Sequence, residues 1–304
     1  MKEMFKKGLG ESGTFATYHP AVNFIFFLFT IGITMFSMDP AFLIVTLVGS
    51  WLWSVLLGGQ KAIKFNLLMT VPVMIVMAVI NTLFTHNGAT VLFYLNYNRI
   101  TLEALLFGIA GAVMISSVIV WFTCFNKVMT SDKFIYLFGK AAPVLGLTLS
   151  MIFRFIPLLK SRYKEISMGQ KCMGRHVEKG FFAKARQLVK EVSILISWSL
   201  ESSIETSDSM EARGYGLPGR GSFHLFKFDG RDKKLMAFML VTGITSAIGC
   251  ALGKTTIYYY PVVMLNGWDL IKILTFICYV LLLLTPLCVD VLGEKKWQAY
   301  ESEI

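Results

Sequence analysis

The residues Ser209-Met210-Glu211-Ala212-Arg213-Gly214-Tyr215-Gly216-Leu217-Pro218-Gly219 set an arginine directly before two glycines and a proline. Glycine and proline in that order stop a helix and prevent its resumption. A cation in the last turn complements the helix dipole, and that alone accounts for Arg213 structurally. A guanidinium presented at a helix tip also makes bidentate bonds to a carboxylate on a partner. A second arginine, Arg154, interrupts the apolar run 144–159 close to Pro157. A charge in such a run is paired, functional, or snorkelled to a headgroup layer. Cys172, Met173 and His176 include soft ligands, but their spacing fits no zinc or iron–sulfur pattern, so no metal site is expected. Gly253-Lys254-Thr255 lacks the glycine that a phosphate-binding loop needs at 248, which is Ile. There is no H-E-x-x-H or G-x-S-x-G, and the four histidines are dispersed. No catalytic residue, cofactor or enzymatic activity is expected.

The composition says where these residues must be held. Of 304 residues, 55% are hydrophobic and only 16% charged, against about 25% charged in soluble domains. The chain is expected to be a polytopic membrane protein. Five scattered cysteines read as small buried hydrophobes. The net charge of +10 reads as cationic loops on the cytoplasmic side. The basic residues flank apolar spans, so no nucleic-acid partner is expected.

Six apolar spans are expected: 21–36, 41–57, 66–85, 102–125, 235–252 and 270–289. Asp39-Pro40 favours a turn between the first two, and Lys61 and Lys64 close that hairpin. Residues 89–101 read as a small β-hairpin at the interface, turning at Asn96-Tyr97-Asn98. Gly108, Gly111, Ser116 and Ser117 would let helices approach closely. A polar leader precedes Ala21, and no signal-peptide cleavage pattern follows.

Residues 160–234 carry 15 of the 29 Lys+Arg beside nine acidic residues and cannot lie in lipid. The positive-inside rule makes them cytoplasmic, together with both termini. Four spans already return the chain to that side, so 131–158 must enter and leave on one face. A re-entrant element or short helical pair turning near Pro143 satisfies this. One full span at 141–159, with the 21–57 hairpin miscounted, is the alternative. A helix from Pro157 to Gly174 would be about 26 Å long. A second, from about Phe182 to Arg213, has Leu188, Val192, Leu195, Ile196 and Met210 on its apolar face. Its hydroxyls at 199, 202, 203, 206, 207 and 209 suit a close helix crossing. The organisation is thus a membrane region 1–159, a cytoplasmic region 160–234, and a membrane hairpin with tail 235–304.

These residues resemble the transmembrane T component of energy-coupling factor (ECF) transporters, the cobalt-transport permease family. His19-Pro20 is similar to the family's opening, and Arg99-Ile100-Thr101-Leu102-Glu103-Ala104 to its entry to a middle helix. Met129-Thr130-Ser131-Asp132 is similar to its T-x-x-D element, and Phe153-Arg154-Phe155-Ile156-Pro157 to its R-F-x-P motif. Met210 to Tyr215 resembles the second Ala-Arg-Gly signature. At the first signature, Gln170-Lys171-Cys172-Met173-Gly174 departs from it: Met173 stands where arginine is usual.

The resemblance implies an all-α polytopic fold with long cytoplasmic coupling helices. It also implies vitamin or metal-ion uptake as part of an ABC-type importer in the plasma membrane. Glu211, Ala212, Arg213 and Gly214 would dock one ATP-binding subunit, and Cys172, Met173 and Gly174 a second. Arg154 and Pro157 would join the membrane and coupling parts. A small substrate-capture membrane protein would complete the complex, and the ATPases alone would hydrolyse ATP. An autonomous secondary transporter or channel is the competing expectation. It needs paired membrane charges or inverted repeats, and neither is evident in the sequence.

Overall fold

The computed structural model describes residues 13–95, 98–141, 143–174, 180–218, 226–264 and 267–303. They form two compact units. Unit 1 comprises Met1–Thr130 and Phe226–Ile304, and unit 2 comprises Ser131–Leu225.

Unit 1 opens with a 3₁₀ turn, Thr14–Thr17, followed by α1 (Pro20–Phe36) and α2 (Pro40–Phe84). A hairpin, β1 (Val91–Leu95) and β2 (Asn98–Thr101), leads into α3 (Leu102–Val128). After unit 2, α7 (Gly230–Ala251) and α8 (Leu270–Glu303) complete it. Proline at the first helical position starts both α1 and α2, where its missing N–H costs nothing. His19 Nδ1 caps α1 by accepting from the Ala21 amide at 3.2 Å. Asp39 Oδ1 caps α2 by accepting from the Ala41 amide at 3.0 Å.

α2 is 45 residues long, but Gly59 breaks it at φ 58°, ψ −147°, a backbone state essentially confined to glycine. Its two ends both meet the 255–261 loop. The Met38 and Asp39 amides donate to the Thr255 carbonyl, and the Ala89 amide donates to the Pro261 carbonyl. Ser54 Oγ reaches Asn66 Oδ1 across the reversal at 3.3 Å. The long helix is therefore folded back on itself, as the hairpin and third span expected from sequence require, and the reversing residue is Gly59. Four helices are long and apolar enough to cross a membrane, and α1 is a shorter apolar one. Counting α2 twice gives six apolar passes. The protein is an all-α polytopic membrane protein.

The β-hairpin forms as expected, pairing Tyr94 with Arg99 and Phe93 with Ile100, while Asn96 and Tyr97 lie outside the described residues. Gly108 packs α3 closely on α2: a Cβ there would lie 3.2 Å from the Ala78 Cα. Gly111 faces open space instead, so of the two glycines only Gly108 serves the close approach. The core is aromatic. Phe15, Phe26, Trp53 and Trp121 are fully buried, in largely edge-on pairs 5.4–5.8 Å apart, the preferred arrangement of ring quadrupoles.

Two buried carboxyl groups tie α8 to the front of the chain. Lys272 Nζ donates to Asp39 Oδ2 at 2.5 Å, with both side chains under 5% exposed. At the other end, Asp290 accepts from the Phe15 amide at 2.7 Å and from Trp53 Nε1 at 3.0 Å. The α2 reversal lies at this second end, because a Cβ on Gly13 would touch both Asp290 and Leu57. Lys127 of α3 lies there too, against Gly58. So does the start of α7, where Arg231 stacks 4.1 Å over the Tyr18 ring. The chain thus leaves unit 1 and re-enters it at one end, as the parity of the spans requires.

Unit 2 contains α4 (Ser131–Ala141), α5 (Pro143–Cys172) and α6 (Phe181–Ala212). The helical pair expected over 131–158 is α4 and the first half of α5. The helix expected from Pro157 begins 14 residues earlier and runs through that proline. The neighbouring turns supply enough helical bonding to tolerate it.

Removing one partner of a buried ion pair strands the other. Lys272→Met is expected to cost about 3–5 kcal/mol. The Asp39→Asn/Lys272→Met double variant, with no stranded charge, should recover most of that. Thermal unfolding in detergent checks both, and equal losses in the single and double variants would contradict the pairing.

Candidate functional site

α5 and α6 are long helices of 30 and 32 residues, roughly 45 and 48 Å at 1.5 Å per residue. They pack antiparallel. The Arg162 guanidinium lies 5.0 Å over the Trp198 ring and bridges to Glu165 at 2.7 Å. Glu191 is buried on α6 and accepts from Gln187 Nε2 at 2.9 Å. Its carboxylate favours the protonated phenol of Tyr163 on α5 and holds that pKa above the usual range.

The face of α6 turned to α5 follows the ridge Gln187, Glu191, Leu195, Ser199 and then Ser202 and Thr206, all at least half buried. This corrects part of the apolar face read from sequence, of which Val192, Leu195 and Met210 are half-buried. Leu188 and Ile196 are 53% and 55% exposed, because each lies one residue, about 100°, beyond that ridge. With Leu200 and Ile204 at 64% and 65%, they form a second ridge of exposed apolar side chains. The hydroxyls divide: those at 199, 202 and 206 face the crossing, whereas Ser203 and Ser207 are exposed.

Both helices end at a glycine with positive φ. At the end of α6 the Gly214 amide donates to the Glu211 carbonyl at 2.8 Å, and the Tyr215 amide to the Met210 carbonyl at 3.0 Å. Gly214 is left-handed at φ 77°. This is a complete Schellman cap, with Arg213 as the C-cap residue. At the end of α5 the Gly174 amide donates to the Lys171 carbonyl at 3.0 Å, and Gly174 has φ 72°. Met173 therefore occupies the backbone position that Arg213 occupies at the other tip. Cys172 and Met173 are exposed, as are Glu211, Ala212 and Arg213. Arg175 and His176 lie outside the described residues.

The antiparallel pairing sends the two tips to opposite ends of the helix pair. Met173 lies about 28 Å along α5 from Arg154. Arg213 instead shares a cavity of about 500 Å³ with Arg154. Glu205 lines it as well, with the hydroxyl residues Ser150, Ser202, Thr206 and Ser209. Two arginines singled out separately from sequence, one at a tip and one in an apolar run, thus line one cavity. Pro157 is not among the cavity's lining residues. Glu205 and Ser150 were missed. Glu205 is one of three carboxylates, with Glu201 and Asp208, inside the run of hydroxyl residues 199–209, and its i, i+4 spacing to Ser209 was the signal available.

Residues 14–225 match the sequence profile of the family described as cobalt transport protein, CbiQ. That match covers most of the chain and both helix tips, and the chain belongs to this family of membrane transport components. A comparison with curated proteins finds no relative that matches it.

The left-handed glycine at the α6 tip is directly testable. Gly214→Ala puts a Cβ where it costs about 1–2 kcal/mol. Amide hydrogen exchange across 213–217 is expected to speed up by about tenfold, with α7 unchanged. Gly169→Ala, inside α5 with open space around it, should leave exchange unchanged or slower.

Proposed function

We propose that this protein is the energy-coupling membrane subunit of an ECF-type ABC importer. It passes the opening and closing of two ATP-binding subunits to a small substrate-capture membrane protein. The observation that supports this most is the pair of exposed, glycine-terminated helix tips at opposite ends of one antiparallel helix pair. Two tips suit two docking grooves, and long helices between them act as levers. Family membership supports the transport class, with cobalt or another small nutrient as cargo held by the capture subunit. The exposed ridge from Leu188 to Ile204 offers an apolar surface to that membrane partner, in keeping with the tendency of large exposed apolar patches to mark interaction sites.

On this reading unit 2 and both termini are cytoplasmic in the plasma membrane. Glu211, Ala212, Arg213 and Gly214 dock one ATPase through an ionic contact. Cys172, Met173 and Gly174 dock the other by packing, since an unbranched thioether fills an irregular groove. Arg154 and Pro157 sit where the apolar half of α5 gives way to its basic half, and they join the lever to the membrane. The chain itself hydrolyses nothing.

The test is affinity purification of the tagged chain from native membranes. Two ATP-binding subunits and one small hydrophobic protein are expected with the wild type. Arg213→Glu should lower ATPase recovery by at least about tenfold, the cost of turning a charge-assisted contact into a repulsion. Met173→Glu should weaken a packed contact by a similar factor. Wild-type protein that purifies alone and still moves a solute in vesicles would overturn the coupling role.

A further inference from the structure

The cavity between α5 and α6 has a chemistry that tip docking leaves unexplained. Its charged side chains are Arg154 and Arg213, both cations, and Glu205, an anion. Neither Arg154 nor Glu205 forms an ion pair among the described residues. The hydroxyls of Ser150, Ser202 and Ser209 add donors, and Thr206 Oγ1 spends its proton on the Ser202 carbonyl at 2.7 Å, leaving its lone pairs to accept. The rest of the wall is apolar: Leu147, Met151, Phe155, Leu158 and Met210. At about 500 Å³ the space is that of a small-molecule site.

This composition selects a ligand. Two guanidiniums with hydroxyl donors suit a phosphate, because planar forks bind its oxygens bidentately. A carboxylate in the same cavity suits an ammonium group on the same ligand. The apolar wall suits hydrocarbon. The position fits as well, since the apolar run of α5 ends here and Lys160, Arg162 and Lys164 follow within two turns. That is the pattern of a helix crossing from hydrocarbon into a headgroup layer.

We propose that the α5–α6 cavity holds the headgroup of an aminophospholipid. Arg154 and Arg213 take the phosphate, Glu205 takes the primary ammonium, and an acyl chain lies along Leu147, Met151 and Phe155. A soluble phosphoamine carries the same head chemistry, but it would leave the apolar wall uncovered. The site is a property of this chain alone and does not rest on ATPase docking.

The test reconstitutes the full chain in nanodiscs of phosphatidylethanolamine, phosphatidylglycerol and phosphatidylcholine in equal parts. Native mass spectrometry after release reads the retained lipid. Wild-type protein is expected to retain phosphatidylethanolamine about tenfold over phosphatidylcholine, whose quaternary amine cannot donate to Glu205. Arg154→Gln should cut total retention by about tenfold, the loss of one charge-assisted contact. Glu205→Gln should keep the lipid and erase the preference for ethanolamine over glycerol headgroups. Ser202→Leu, which fills the cavity from α6, should lose the lipid with helical content unchanged by circular dichroism, and it stands in for Arg154→Gln if that variant misfolds. Retention that mirrors bulk composition in the wild type would overturn the proposal, as would wild-type retention in Ser202→Leu. Displacement of the lipid by free phosphoethanolamine would assign the site to a soluble phosphoamine instead. No arm contains an ATPase, so failure here leaves the coupling role standing, and loss of that role leaves this site standing.

Discussion

A carboxyl group buried in an apolar bundle must be partnered, and unit 1 is arranged around two that are. Asp39 caps α2 with one oxygen and holds the Lys272 ammonium with the other. Trp268 adds its ring face 5.2 Å from that ammonium, a further stabilisation of a desolvated cation. Asp290 spends one oxygen on the Phe15 amide and the other on Trp53. Each acid reaches more than 200 residues along the chain. α8 is thereby pinned at one end to the start of α2 and at the other to the N-terminal turn and the descending half of α2. Losing any one partner would leave a charge or donor with no water to turn to.

The consequences propagate. With the first half of α2 fixed against α8, the second half must double back to reach the 255–261 loop, and only glycine adopts the backbone state seen at Gly59. With α2 doubled, α3 returns to the Asp290 end and α7 departs from it. The chain therefore leaves and rejoins unit 1 at one end, and the strongly basic segment 160–234 need not be threaded through hydrocarbon.

Local punctuation was legible in the sequence, and so were the elements it bounds. Asp39-Pro40 marks the first turn, Gly174 closes α5, and Gly214, Gly216 and Pro218 close α6, because each residue type restricts its own backbone. Long apolar runs placed the six passes for the same reason. The apolar face expected on α6 is only partly the buried one: Val192, Leu195 and Met210 are half-buried, but Leu188 and Ile196 are exposed, and Gln187, Glu191 and hydroxyls complete the inward ridge. Hydropathy reports what avoids water, and on this helix the most apolar ridge is the one left uncovered. The Asp39–Lys272 and Asp290–Trp53 pairs were illegible too, because nothing local to a single acid names a partner more than 200 residues away. The cavity that Arg154 and Arg213 both line depends on the antiparallel register of two helices, which no residue encodes alone.

That register also gives the two tips different physics on one scaffold. The two tips share the bond from the terminal glycine to the carbonyl three residues back, and a positive φ at that glycine. What differs is the side chain and its surroundings. Met173 is 61% exposed and lies far along α5 from the cavity, and a contact through it is insensitive to salt. Arg213 carries a charge, and it shares its cavity with a second arginine and with only one acid. A contact made through Arg213 is therefore weakened by salt, whereas one made through Met173 is not.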